Sequence, residues 1–191
     1  MSARISVTWS PSQRAVDVRD EVESCEIHVR AFALNQSVDF ITLGVFENNN
    51  KARYFARQVQ NIRDRRQRGQ IPSSHFGADG SLGQGFPGLA DAVSPGLGAA
   101  ASAHVAGAER VWLNYSFESA MFHIEPESVG LRINRRAFLS NRRLSYVTVA
   151  VFENRADAAK AKMQLLEIAE RHGNHPAIDK IRKITGGALW N

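Results

Sequence analysis

The hydrophobic pattern of this chain shifts from a strand period to a helix period, and the whole shift occurs twice. Over about 3–9, Ile5, Val7 and Trp9 alternate with polar residues, which predicts a strand. A turn at Pro11-Ser12-Gln13 leads to a weaker strand near 14–20. Two more strands are predicted at about 25–34 and 38–47. Cys25, Ile27, Val29, Ala31 and Ala33 lie on one face of the former, and Ile41, Leu43 and Val45 on one face of the latter. From Asn48 or Asn49, good capping residues, to about Arg66 the spacing becomes 3.6, with Ala52, Phe55, Val59 and Ile62 forming the stripe of a helix laid on a sheet. One such run reads as a four-stranded antiparallel meander plus a helix, ββββα.

A shift of 106 residues aligns residues 1–69 with 107–175 without a gap. The identities include Arg4/Arg110, Glu21/Glu127, Arg30/Arg136, Phe32/Phe138 and Asn35/Asn141, and the tetrapeptide VFEN stands at 45–48 and again at 151–154. Such self-similarity marks an internal duplication. The fold class expected is therefore α+β, with ββββα twice, and the copies packed as a pseudo-twofold pair because one sheet with one helix leaves apolar area uncovered. Between the copies, residues 70–106 are rich in Gly, Ala, Ser and Pro with no hydrophobic period, and read as a linker. Residues 176–191 read as a short helix and tail.

On this assignment the sheet face turned away from the helix carries chemistry. Arg30 and Phe32 alternate on the third strand, as do Arg136 and Phe138 in the second copy, and Phe40 and Tyr146 stand opposite the two phenylalanines. Rings stack on bases and guanidinium groups grip phosphate, so the face reads as a platform for single-stranded nucleic acid. The same face would serve equally for burial against the other copy or another subunit, with the arginines paired to acids. A second basic cluster, including Arg65 and Arg66, ends the helix, and Arg142 and Arg143 flank the second hairpin loop. These read as phosphate contacts or as a solvated surface.

Composition supports a cationic globular protein. Apolar residues make up 43% and charged residues 23%, the formal net charge is +5, and 19 of the 24 basic residues are arginine, the better phosphate fork. No long apolar, charge-free stretch suggests a membrane span, and the N-terminus has no signal-peptide pattern, so an intracellular location is expected, cytoplasmic or in an organelle or nucleoid. Cys25 is the single cysteine, which excludes an internal disulfide or a cysteine-based zinc site within one chain. The glycines at 77–88 lack a Gly-Lys-Ser/Thr motif, so no nucleotide loop is read there. His172 and His175 have metal-like spacing but no acidic neighbours, and no nucleophile has a convincing base. No cofactor, no metal and no enzymatic activity are expected.

A tandem ββββα repeat with a basic, aromatic sheet face resembles the PUR-repeat and Whirly-type single-stranded nucleic-acid-binding proteins. The resemblance is one of element order over both copies, and no residue is carried over from a family motif. It implies single-stranded DNA or RNA crossing the strands, and a homo-oligomer. The expectation is thus a non-enzymatic binder of single-stranded nucleic acid. The alternative is a structural or assembly protein, such as a virion component, using the same faces for protein contacts.

Overall fold

The computed structural model describes residues 4–69, 110–172 and 178–185. The linker expected over 70–106, His175 and the tail beyond Thr185 lie outside the described residues. The fold is α+β. Strands β1 (Ile5–Ser10) and β2 (Ala15–Asp20) form a hairpin, followed by helix α1 (Glu21–Ala33), strand β3 (Ile41–Phe46) and helix α2 (Asn49–Gln67). The same order returns as β4 (Val111–Ser116), β5 (Met121–Pro126), α3 (Glu127–Leu139), β6 (Tyr146–Phe152) and α4 (Arg155–His172), with a short α5 (Ile178–Thr185) after it. Each sheet has three antiparallel strands, ordered β2-β1-β3 and β5-β4-β6. Among the described residues no helix is long and apolar enough to cross a membrane.

The expected ββββα unit is therefore corrected to ββαβα, because the third predicted strand is a helix in both copies. In α1 the buried positions are Glu21, Ser24, Cys25, His28, Val29, Ala31 and Phe32, and all but Ala31 follow the i, i+3, i+4, i+7 rhythm of a helix face. Half of that stripe is polar. Without those polar residues to extend the stripe, the alternation of Cys25, Ile27, Val29, Ala31 and Ala33 mimics a strand. The helix ends confirm the assignment. Asn35 and Asn141 both take φ 52°, and the amides of Gln36 and Arg142 donate to Ala31 O and Ala137 O at 2.8 Å, closing a Schellman turn in which asparagine tolerates the left-handed conformation. The residues expected to turn a hairpin are helix caps.

The compact bodies of the protein do not follow the two copies. Among the described residues one unit combines 4–21 and 40–69 with 131–143, and the other combines 22–39 with 110–130, 144–172 and 178–185. Most of α1 thus belongs with the sheet of the second copy, and most of α3 with the sheet of the first. Each exchanged helix is held in two ways. Apolar side chains enter the foreign core: Phe32 packs edge-on against Tyr115 at 4.6 Å and Phe122 at 5.4 Å, and Phe138 against Trp9 at 5.2 Å. Polar side chains satisfy backbone groups at β-bulges. The bulge in the β1–β3 pairing leaves Leu43 without a ladder partner, and its carbonyl accepts from Arg135 Nε at 2.8 Å, while Thr42 O accepts from Asn134 Nδ2 at 2.7 Å. At the matching bulge in β6, the Thr148 amide donates to His28 Nδ1 at 3.1 Å. His28, one of the buried polar positions that conceal the helical stripe, is also one that anchors it.

Helices α2 and α4 cover their own sheets. Each is capped by an asparagine: Asn48 Oδ1 accepts from the Asn50 amide at 2.8 Å, and Asn154 Oδ1 from the Asp157 amide at 2.9 Å. Ala52, Phe55, Val59 and Ile62 are buried, as the 3.6 spacing predicts. The entry to each exchanged helix is fixed by a recurrent acid. Glu21 and Glu127 donate their amides to Arg4 O and Arg110 O, and their carboxylates meet the same arginines, at 4.0 and 3.4 Å.

One close approach in the second unit gives a test of this packing. A Cβ at Gly130 would stand 2.3 Å from Cε3 of Trp112, a ring only 2% exposed. Gly130→Ala gains helix propensity worth about 1 kcal/mol but must displace a buried indole, which costs about 1–3 kcal/mol. The expected net result is a lower urea midpoint with an unchanged slope. A raised midpoint would show that the ring moves aside freely.

Candidate nucleic-acid interface

The residues expected to form the stacking platform are dispersed by the helix. Phe32 is fully buried and Phe138 nearly so, each in the core of a different unit. Neither pairs across strands with Phe40 or Tyr146, because neither lies on a strand. Phe40 is half-buried, with the Arg19 guanidinium 4.9 Å above its ring. Tyr146 opens β6 and is half-buried, and burial together with the Glu125 carboxylate pushes its phenol above its usual range, so it stays neutral. Arg30 is exposed on α1 and paired with Glu26 at 3.0 Å, one helical turn away. The alternating ring-and-arginine surface expected on the sheet is absent.

The remaining expected residues are brought together in a different way. Arg65 is exposed near the end of α2, and Arg136, Arg142 and Arg143 are exposed at and beyond the end of α3. Arg66 lies in α2, and its side chain is outside the described residues. Through the helix exchange all five belong to the same unit.

That exchange sorts charge. Counted over the described residues, the unit holding β1, β2, β3 and α2 contains three basic residues in 4–21, seven in 40–69 and five in 131–143, fifteen in all, against five acidic ones, Asp17, Asp20, Glu21, Glu47 and Asp64. Its formal charge is +10. The other unit carries nine basic and eleven acidic residues over its described segments, a formal charge of −2. The two sheets thus share a topology and differ by about a dozen charges. The exchange contributes directly, because the α3 segment brings Arg132, Arg135, Arg136, Arg142 and Arg143 with no acid, whereas α1 carries Glu23 and Glu26 into the other unit.

Five of these fifteen cations, Lys51, Arg53, Arg57, Arg65 and Arg68, are exposed along α2 or just beyond its end. With Ala52, Phe55, Val59 and Ile62 turned to the sheet, the opposite stripe is Asn50, Tyr54, Arg57, Asn61, Arg65 and Arg68, all exposed. Tyr54 is 56% exposed, a solvent-facing ring among cations. Two arginines have structural employment instead. Arg63 donates to Arg14 O and lies over the Trp9 ring at 5.9 Å. Arg135 lies half-buried against Phe55 at 5.7 Å, and desolvation lowers its pKa to about 10, so it remains charged at neutral pH. Beside α2 a groove of about 550 Å³ runs between the helix and β2, lined by Val16, Val18 and Ala56 on its apolar side and by Arg19, Arg53 and Arg57 among its charged groups.

Arg14, Arg53 and Arg132 belong to this surface and were not among the sequence candidates. The exposed face of α2 was readable from its helical period, and that signal includes Arg53. Arg132 joins the surface only because α3 packs on the other copy's sheet, which periodicity cannot reveal. Among the described residues no group of three His, Cys, Asp or Glu side chains is placed to hold a metal ion. No family model, curated protein or solved structure matches this chain.

Proposed function

We propose that the chain is a non-enzymatic, sequence-tolerant binder of single-stranded nucleic acid that grips the phosphate backbone with its arginine-rich unit. The observation that carries the reading is the segregation of charge, +10 in one unit and −2 in the other. A field of that sign on one compact body attracts a polyanion and raises its encounter rate. The preference for arginine over lysine favours phosphate, which guanidinium meets with two parallel bonds. Phosphate contacts fix a strand without reading its bases, hence the tolerance of sequence. Tyr54, an exposed ring on the same helix face, supplies a stacking surface for an unpaired base.

This reading keeps the class of partner expected from the sequence and moves the interface from the sheet face to the outer face of α2 and the end of α3. Its test is a salt titration with short DNA and RNA oligonucleotides. Changing Arg57, Arg65 and Arg68 together to glutamine removes three exposed cations without touching the core. The slope of log K against log salt is expected to fall by about 2, at ~0.7 per phosphate contact for a single strand. The matched change of Lys160 and Lys162 to glutamine, in the other unit, is expected to leave the slope unaltered. Wild-type affinity that ignores salt, or large salt-insensitive oligomers with no oligonucleotide binding, would favour an assembly role instead.

A further inference from the structure

Resting on that reading, we propose that the groove between β2 and α2 is a nucleotide subsite, which seats one nucleoside monophosphate unit of the strand with its phosphate on Arg53 and Arg57 and its base against Val16, Val18 and Ala56. The groove measures about 550 Å³, within the range of roughly 300–1,000 Å³ that small-molecule sites occupy. Its walls have two characters. Arg53 and Arg57 stand one helical turn apart on the rim, spaced as neighbours on a helix face, and Arg53 is oriented by a 3.0 Å bond from its Nε to Asn49 Oδ1. The valines of β2 and the small side chain of Ala56 leave an apolar surface suited to the face of a base. On the same strand Asp17 is held at 2.5 Å by Arg19. A bare anion would use the arginines alone; a nucleotide uses the apolar surface as well.

The duplicated chain carries its own comparison. At a shift of 106 residues Val16 becomes Phe122, Arg19 becomes Glu125, Arg53 becomes Ala159, Ala56 becomes Lys162 and Arg57 becomes Met163. Phe122 is 3% exposed and packs on Tyr115 and Phe32, so a large ring occupies the place where the first copy keeps a small valine. The changes remove the arginine pair at 53 and 57, reverse the charge at 19 and add bulk at 16, while Lys162 places a single cation where Ala56 leaves an apolar surface. Phe122 serves the core of the second unit, whereas Ala159 and Met163 stand on the exposed face of α4 where Arg53 and Arg57 stand on α2.

The decisive variant is Val16→Phe, which fills the groove without altering any charge, assayed in the full chain beside the pair Arg53→Ala and Arg57→Met. Adenosine and uridine monophosphates, inorganic phosphate and a short single-stranded RNA are titrated into each protein. Expected are monophosphate binding to wild type at least tenfold tighter than inorganic phosphate, its loss in both variants, and RNA affinity at least tenfold lower in Val16→Phe with the salt slope retained. Phosphate bound as well as the monophosphates would overturn the subsite and leave a simple anion contact. RNA affinity unchanged in a folded Val16→Phe protein, while the glutamine triple variant on the outer face of α2 still weakens binding, would overturn the subsite and spare the wider reading. Monophosphate binding with no RNA binding to wild type would overturn the placement of a strand here. Should Val16→Phe fail to fold, the arginine pair decides by the same comparison between monophosphates and phosphate.

Discussion

Phe32→Ala is expected to destabilise the protein by about 3–5 kcal/mol, the cost of removing a wholly buried ring and leaving a cavity among packed aromatics. Phe32 is 0% exposed, touches both Tyr115 and Phe122, and belongs to a helix that the second sheet must recruit from a distant part of the chain. Urea unfolding monitored by circular dichroism should show the midpoint falling steeply. The neighbouring Arg30→Ala removes an exposed pair with Glu26 and should move stability by no more than about 0.5 kcal/mol. Under strongly native conditions the surviving folded fraction of Phe32→Ala should bind oligonucleotide as wild type does. Lost binding with undiminished stability would restore the ring to an exposed role and contradict its burial.

Cutting the chain gives the second large effect. Residues 1–69 alone lack the α3 segment that places Phe138 on Trp9 and bonds the β3 bulge, and their own α1 would present Val29 and Phe32 to water. That fragment is expected to show no cooperative unfolding as a monomer, and residues 107–191 likewise. Mixed in equal amounts, the two should recover a cooperative transition, because each supplies the helix the other needs. Sedimentation and denaturant unfolding of the fragments, separate and mixed, check this. Either fragment folding alone as a monomer with the stability of the whole chain would mean that the exchange is dispensable.

Much of this fold is legible along the chain, and the failures have a common cause. The 3.6 spacing of Ala52, Phe55, Val59 and Ile62 finds α2, Asn48 and Asn154 mark its start and that of α4, and the β1–β2 hairpin follows from Ile5, Val7 and Trp9 with the turn behind them. The error lies in α1 and α3, where Glu21, Ser24, His28 and Asn134 are buried polar residues on a core-facing stripe. A pattern read by hydrophobicity treats such residues as surface, yet His28 and Asn134 serve the irregular backbone of the other copy's strand, and Glu21 meets Arg4 at the start of its own helix. Asn35 and Asn141 added to the confusion, since a left-handed asparagine suits a hairpin loop and a helix end alike. The candidate site inherited the error: Arg30 and Phe32 share a strand face by parity but not a helix face, being two residues and about 200° apart. The exposed arginines at 65, 142 and 143 survive because they depend only on charge and exposure, while their gathering into one unit depends on the long-range exchange.

The exchange also dictates the order of events during synthesis. The first unit cannot be completed when residue 69 is made; its sheet must wait for its exchanged helix until residues 131–143 have left the ribosome, at roughly 5–20 residues per second a delay of several seconds or more. Throughout that interval the bulge at Leu43 and the flank of Trp9 stay uncovered, so a nascent chain already bearing the arginines of α2 is held open to whatever anion or chaperone it meets first.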